Sequence, residues 1–247
     1  MNETIQLLHN HRSIRKFTNQ KLSNELVQTI VEAGQSASTS SNVMAYSIIG
    51  ITDESLKIEL QKVSGQPYVE NNGYLFIICG DLNRNSLLES NAHEETIKTT
   101  IESTEQFIVT TVDATLVSQN MVIAAESLGL GICFLGSLRN DINRVDELLE
   151  LPSYVIPLYG LAVGYPDHQP EVKPRLPFEA VFHENKYEGN KKQQYIAAYD
   201  ETLKGYYKAR SSNNKVDNWT EQMTRKYSVP TRTDVGPYVQ RKKLNMR

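Results

Sequence analysis

The sequence predicts a fold that mixes helices with a β-sheet, an α+β or α/β sandwich, and two observations carry that expectation. Stretches with helical periodicity alternate along the chain with short, strongly apolar runs, and one run, Tyr74 to Cys79 (YLFIIC), is continuously apolar. A continuous run is the mark of a strand buried on both faces, and strands interleaved with helices give a layered sandwich. The chain has 247 residues, enough to bury such a sheet, and its 39% hydrophobic and 22% charged residues place it among globular proteins.

Residues 2–10 read as a short helix with Ile5, Leu7 and Leu8 on its apolar side, followed by a stretch from Ser13 to Phe17. A helix is expected from Ser23 to Gln35, where Leu26, Ile30 and Ala33 recur at helical spacing and Gly34 lies near the exit. The turn from Ser36 to Ser41 is too rich in hydroxyls to be core. Ala45 to Thr52 reads as a strand, Glu54 to Val63 as a polar helix, and Tyr74 to Cys79 as the buried strand. Leu82 to Thr111 is mostly polar and fits one or two helices with an exposed side. Asp113 to Gly129 is the clearest helix: Asp113 suits its positive N-terminal end, Ala124, Ala125 and Leu128 continue its apolar face, and Gly129 offers a left-handed stop. Gly131 to Leu135 and Val155 to Val163 are expected strands, separated by a helix from Asp141 to Leu149.

From Tyr165 the character changes. A proline-rich connector (YPDHQPEVKPRLPFE) leads into a tail, residues 188–247, rich in Lys, Arg and Tyr. The tail has few core residues and too little apolar content to fold alone, so it is expected to wrap a partner subunit or cover a site. The organisation expected is a core over residues 1–165 and a connector with helical extension over 166–247.

Composition narrows the function. A formal charge of -3 gives no general attraction to nucleic acid or an anionic membrane. No apolar stretch approaches the roughly 20 residues of a membrane span, and the opening MNETIQLLHNHR lacks the pattern of a secretory signal. A cytoplasmic location is the default. Cys79 and Cys133 lie in apolar runs and read as buried small hydrophobes. The five histidines have no metal-ligand spacing, and no Ser/His/Asp arrangement or zinc motif is present, so no metal site and no catalytic acid or base is assigned. Such a chain leaves the hard chemistry to a bound cofactor.

Several segments offer binding groups. His11-Arg12-Ser13-Ile14-Arg15 can surround a phosphate, because guanidinium forks match phosphate oxygens bidentately. In an extended chain His11, Ser13 and Arg15 share one face and Arg12 takes the other. From spacing alone, a solvated basic cluster accounts for these residues at least as well. Ser38 to Asn42 supplies hydroxyls and free backbone N–H groups, though an ordinary loop does the same. GLGICFLGS, residues 129–137, is a glycine-punctuated strand along which a flat ligand can approach the backbone, and it does not match the dinucleotide fingerprint GxGxxG. Lys173 and Arg175, and Arg210, Lys215, Arg225 and Arg232 further on, are each ordinary as lone surface charges.

In this order, HRSIRKFT, ESLGLGICFLGSLRND, KPRLP and YDETLKGYYKARSSNNKVDNW resemble the oxygen-insensitive NADPH nitroreductase and NADPH-dependent FMN oxidoreductase group of the nitroreductase-like superfamily, over nearly the whole chain. The resemblance implies an α+β fold, a three-layer α/β/α sandwich with a central, mainly antiparallel sheet and a C-terminal extension that wraps a homodimer. It implies non-covalent FMN, held by His11, Arg12, Ser13 and Arg15, by Thr39 and Ser41 of the partner chain, by Gln66 and Tyr68, by Phe134, Leu135, Gly136 and Ser137 along the ring, and by Lys173 and Arg175. NADPH would be the hydride donor, its 2′-phosphate read by Arg210 and Arg232 with Lys215 as helper. Ser137 stands where the group commonly has a second glycine, and Pro67 is not its usual residue. The implied activity is ping-pong hydride transfer from NADPH through FMN to nitroaromatics, quinones or similar small acceptors. Reduction of free FMN, and FMN storage or redox sensing without turnover, are the alternatives.

Overall fold

The computed structural model describes residues 1–88, 93–210 and 215–247, so parts of the polar span 82–111 and of the tail lie outside the described residues. The chain forms two compact units, one of residues 1–170 with 232–247, the other of residues 171–231.

The first unit is built on a four-stranded sheet among the described residues: β1 (Tyr46–Ile51), β2 (Tyr74–Asp81), β3 (Gly131–Leu135) and β4 (Val155–Gly164), in the order β1-β2-β4-β3. Every neighbouring pair is antiparallel. The continuous apolar run becomes β2, which is central and buried from Leu75 onward. Its side chains alternate between two cores. Phe76 and Ile78 pack with Ile30 of α2 (Asn24–Gln35) and with Val117, Met121 and Val122 of α6 (Thr104–Ser127). Leu75, Ile77 and Cys79 pack with Leu60 of α3 (Glu54–Ser64) and Val145 of α7 (Ile142–Leu149). Period-two alternation in one strand thus fixes helices on both faces, giving three layers. The remaining helices of this unit among the described residues are α1 (Glu3–His9), α4 (Asn83–Ser86), α5 (Glu94–Ile101) and α10 (Val235–Arg241).

Local chemistry sets the helix ends. Ser23 and Asp53 are N-caps whose side chains accept from the N–H groups of Leu26 and Leu56, satisfying donors that have no intrahelical partner. Gly129 takes φ 77° after α6 and provides the left-handed stop.

Helix α6 corrects the sequence expectation. It begins at Thr104, capped by Ser103, and not at Asp113, which is fully buried in its interior. Thr110 and Thr111 return their hydroxyls to the Phe107 carbonyl, so polar residues that disguised the first turns are accommodated within the helix. At 24 residues, α6 is also long and apolar enough to cross a membrane by length and composition, contrary to the expectation that no stretch approaches that size. Thr110, Asp113 and Ser118 are nonetheless fully buried in protein and hydrogen-bonded there.

The C-terminal residues contain more core than their composition suggested. Tyr238 and Leu244 are fully buried with Ala45, Leu82, Ile142 and Ile156. The Tyr238 hydroxyl donates to Asp146 at 2.9 Å, and Thr104 N–H donates to the Arg247 carbonyl at 2.7 Å.

In the second unit, α8 (Lys192–Ala209) buries Tyr199, Leu203 and Tyr207 on one stripe at four-residue spacing, packed with Leu176 and Trp219. Thr220, in α9 (Trp219–Tyr227), donates its N–H and hydroxyl to Asp200 of α8 at 2.9 and 2.6 Å.

Candidate functional site

The segment after α1 lies extended along the free edge of β3. Ile14 N–H donates to the Ile132 carbonyl at 2.8 Å, Ser13 bridges Ile132 in parallel, and Phe17 bridges Pro166. Two sequence motifs 120 residues apart, HRSIR and GICFLGS, are therefore side by side. The alternation expected of an extended chain holds for the arginines. Ile14 is buried, while Arg15 lies beside the Tyr68 hydroxyl and the Cys133 thiol. Burial raises the pKa of both neighbours above its ordinary value, and the Arg15 charge opposes that rise.

Arg12 is directed elsewhere. It donates Nε to the Asn10 carbonyl at 3.0 Å and Nη1 to the Pro170 carbonyl at 3.3 Å. With Ile14, Glu126, Gly129, Pro166 and His168 it lines an open cleft of 580 Å³. His11 Nδ1 lies 2.7 Å from a Glu126 carboxylate oxygen, so an anion at His11 would share it with that carboxylate.

On β3, Phe134 stands 40% exposed between fully buried neighbours and meets Tyr159 edge-on, with ring centroids 5.4 Å apart. Leu135 is buried. Gly136 to Asp141 forms a 3-10 turn in which the Ser137 hydroxyl lies 2.6 Å from that of Ser64. Gln66 precedes a second such turn, Pro67–Val69, which carries the half-buried Tyr68. Pro67 occupies its first position, where a missing N–H costs nothing.

The hydroxyl turn is held from a distance. Asp113 accepts from Ser40 N–H at 2.9 Å and Ala45 N–H at 3.1 Å, bracketing a segment in which Ser41, Asn42 and Met44 all have φ between 48° and 59°. Thr39 is half-buried and Ser41 exposed. Sequence reasoning missed Asp113 as the tether of this turn, since its partners lie 73 and 68 residues away.

Within the second unit, three of the expected cations gather on one ring. Lys173, Arg210 and Lys215 approach Tyr207 with charges 5.9, 6.0 and 4.4 Å from its centroid. Arg210 Nε is buried without a hydrogen-bond partner. Lys215 also pairs with Asp217 at 2.6 Å, and Arg225 donates to both oxygens of that carboxylate. Together these cations hold the Asp217 carboxyl down at about 2. Arg175 is exposed and donates to the Lys173 carbonyl at 2.9 Å.

Arg232 belongs to the first unit. Its Nε and Nη2 both donate to Asn140 Oδ1, at 3.1 and 2.9 Å. Arg139, on the same 3-10 turn, donates to the Leu158 carbonyl, and its pKa is lowered by burial and by the charge of Arg232. Sequence reasoning did not single out Arg139, a lone cation in a polar turn. Groups of His, Cys, Asp and Glu able to hold a metal ion are absent among the described residues.

Residues 8–165 match the Nitroreductase family, and residues 173–247 match the Nitroreductase family, C-terminal domain. The chain belongs to the nitroreductase family. It is 48% identical over 245 residues to the NADPH-dependent oxidoreductase of Staphylococcus aureus (strain bovine RF122 / ET3-1), covering 98% of this chain and 97% of the relative. The NfrA1 nitroreductase from B. subtilis superposes with a TM-score of 0.92 at 44% identity, over 99% of this nitroreductase and all of that chain. The NADPH:FMN oxidoreductase from Vibrio harveyi, complexed with NAD+, superposes with a TM-score of 0.87 at 38% identity, over 100% of both chains. As a nitroreductase with such relatives, the protein is an oxidoreductase enzyme with the α+β nitroreductase fold.

Proposed function

We propose that this nitroreductase is an FMN-dependent NADPH oxidoreductase, a cytoplasmic homodimer that passes hydride by a ping-pong cycle to nitroaromatics, quinones or similar acceptors. The observation that carries this reading is the backbone pairing of Ser13–Ile14 with Ile132, which lays the basic opening motif along the glycine-punctuated strand.

The residues present fit non-covalent FMN. Arg15 offers a cation beside a phenol and a thiol, Phe134 an exposed ring on a buried strand, and the turn after it backbone donors. Ser13, with Thr39 and Ser41 of the second copy, adds hydroxyls of the kind that bind phosphate and ribityl oxygens. Bound FMN would supply the hydride transfer between donor and acceptor. The chain's own work is then electrostatic and positional: Arg15 stabilises negative charge at its site, and the Phe134 and Tyr68 rings shape a flat space. Arg210 and Lys215, gathered on Tyr207, give cations for the 2′-phosphate of NADPH, and the partnerless Arg210 Nε leaves a donor to satisfy. No side chain is required as acid or base.

A second copy is the partner that the exposed apolar stripe of α6 fits. Ile108, Val112 and Leu116, four residues apart, are 50%, 42% and 42% exposed. The V. harveyi relative, named as an NADPH:FMN oxidoreductase, favours free FMN as a second acceptor.

The test is a visible spectrum of the purified protein under anaerobic conditions. A flavin band that bleaches rapidly with NADPH and slowly with equimolar NADH is expected. A protein that stays colourless after incubation with excess FMN refutes the reading, and a yellow protein that NADPH does not bleach leaves only storage. Steady-state competition between FMN and a nitroaromatic then ranks the acceptors.

A further inference from the structure

We propose that Glu126 is a positioning residue for the cofactor phosphate, acting through His11. Its carboxylate accepts the Nδ1–H bond and balances a second proton on Nε2, so that the imidazole meets phosphate as a donor. The inference rests on the FMN reading, in which His11 stands at the phosphate, and adds a residue that this reading does not contain.

Glu126 stands where a carboxylate is unfavourable. It lies in the last turn of α6, at the negative end of the helix dipole, in a turn with no basic residue, and its side chain is only 13% exposed. Compensation comes from 115 positions away, where His11 Nδ1 lies 2.7 Å from a carboxylate oxygen. A carboxylate only accepts, so Nδ1 is the donor and carries the proton. The backbone holds the two groups together. Gly129 ends α6 with φ at 77°, and a Cβ added at Gly131 would lie 2.5 Å from Ile14, so the chain leaving α6 presses directly on the segment that carries His11. The His11 side chain is 29% exposed, enough for a ligand to reach it.

The fixed Nδ1 proton decides what the ring offers. With that proton alone, Nε2 presents a lone pair that repels phosphate oxygens; with a second proton it donates a charge-assisted bond. The carboxylate offsets the charge of that second proton, so phosphate bound at His11 comes with a proton on Nε2. Among the described residues, the other charged or titratable groups near the pair are engaged elsewhere or exposed. Arg12 and His168 line the same open cleft as Glu126. Arg12 donates to the Asn10 and Pro170 carbonyls, His168 Nδ1 lies 3.3 Å from the Lys16 carbonyl, and His9, in the last turn of α1, is exposed. A bare carboxylate near a phosphate weakens its binding by repulsion. Glu126 acts in the opposite sense, which makes the sign of its effect diagnostic.

The test titrates the flavin-stripped full chain with FMN and with riboflavin, which lacks the phosphate, in the parent and in Glu126→Gln, read by flavin fluorescence. At pH 8 the variant is expected to bind FMN about tenfold or more weakly, with riboflavin affinity unchanged. The deficit closes at pH 5.5, below the ordinary imidazole value of about 6.5, where the ring takes both protons unaided. Protonation of the phosphate itself is common to both proteins and cancels in their ratio. In a His11→Asn background the same change should strengthen FMN binding, because the carboxylate then only repels. FMN affinity in Glu126→Gln equal to or above the parent's at pH 8, an equal loss for riboflavin, or a deficit that persists at pH 5.5 overturns the inference. Nitrogen-15 NMR of the FMN-loaded parent at pH 8 needs no variant: both His11 ring nitrogens protonated is expected, and a neutral ring overturns it. If the protein binds neither flavin, the FMN reading fails by itself; inorganic phosphate is then the probe, and a doubly protonated His11 in its presence keeps the role of Glu126, whereas a neutral ring removes it.

Discussion

Removing the Asp113 carboxylate should loosen the hydroxyl turn and the fold together. Its two oxygens accept backbone N–H groups from Ser40 and Ala45, and the side chain is fully buried in the middle of α6. A hydrogen bond to a charged acceptor contributes about 1.5–3 kcal/mol, and a buried donor left unpaired loses most of that. Asp113→Ala forfeits both bonds, for a destabilisation of about 3–5 kcal/mol. Asp113→Asn keeps one accepting oxygen and turns an NH2 toward the other donor, for about 1.5–3 kcal/mol. Against a typical total of about 5–15 kcal/mol, either change is readily visible in urea unfolding at neutral pH. The same variants should retain less FMN, because the turn carrying Thr39 and Ser41 loses its tether. Two variants within about 0.5 kcal/mol of the parent, with flavin retention unchanged, would show that the turn holds its shape without Asp113.

Two further outcomes follow from backbone and burial. Arg232→Gly should be more stable than Arg232→Ala by about 1 kcal/mol, since both lose the Asn140 bonds and only alanine keeps the left-handed strain; equal urea midpoints would contradict that strain. The Cys79 thiol is pushed up to about 12 by burial and Cys133 is raised by the same cause. Neither should react with a thiol reagent at pH 8 until the protein unfolds. Because the unfolded Cys79 thiol ionises near about 8.5, the stability linked to it is intact below that pH and lost as pH rises toward 12. Rapid labelling of the native protein at pH 8, or stability flat from pH 8 to 11, would exclude this burial.

The elements that were legible in the sequence are those whose signals are local. β2 announced itself by six consecutive apolar residues, and α2 by helical spacing after a serine that turns out to cap it. Period-two alternation was enough to separate Arg12 from Arg15. What was not legible depends on distant partners. Asp113 reads as a helix-end charge until the N–H groups of a turn far upstream are brought to it. The start of α6 is hidden by threonines that bond back within the helix. Tyr238 and Leu244 look like stray apolar residues in a charged tail, and only the packed structure reveals the hole they fill. Arg139 has no periodicity at all; its meaning comes from Arg232, brought to the neighbouring Asn140 across 92 positions of sequence.

The return of residues 232–247 to the first unit changes what a shortened chain would be. A stop codon anywhere before Tyr238 would not trim an appendage; it would pull a plug, leaving an apolar hollow lined by Ala45, Leu82, Ile142 and Ile156 open to water and Asp146 without its phenol. Deletion libraries should therefore tolerate excisions between residues 171 and 231 that spare both flanks better than they tolerate loss of the last ten residues. The Arg247 carbonyl, bonded to Thr104 N–H, ties this segment to the first turn of α6.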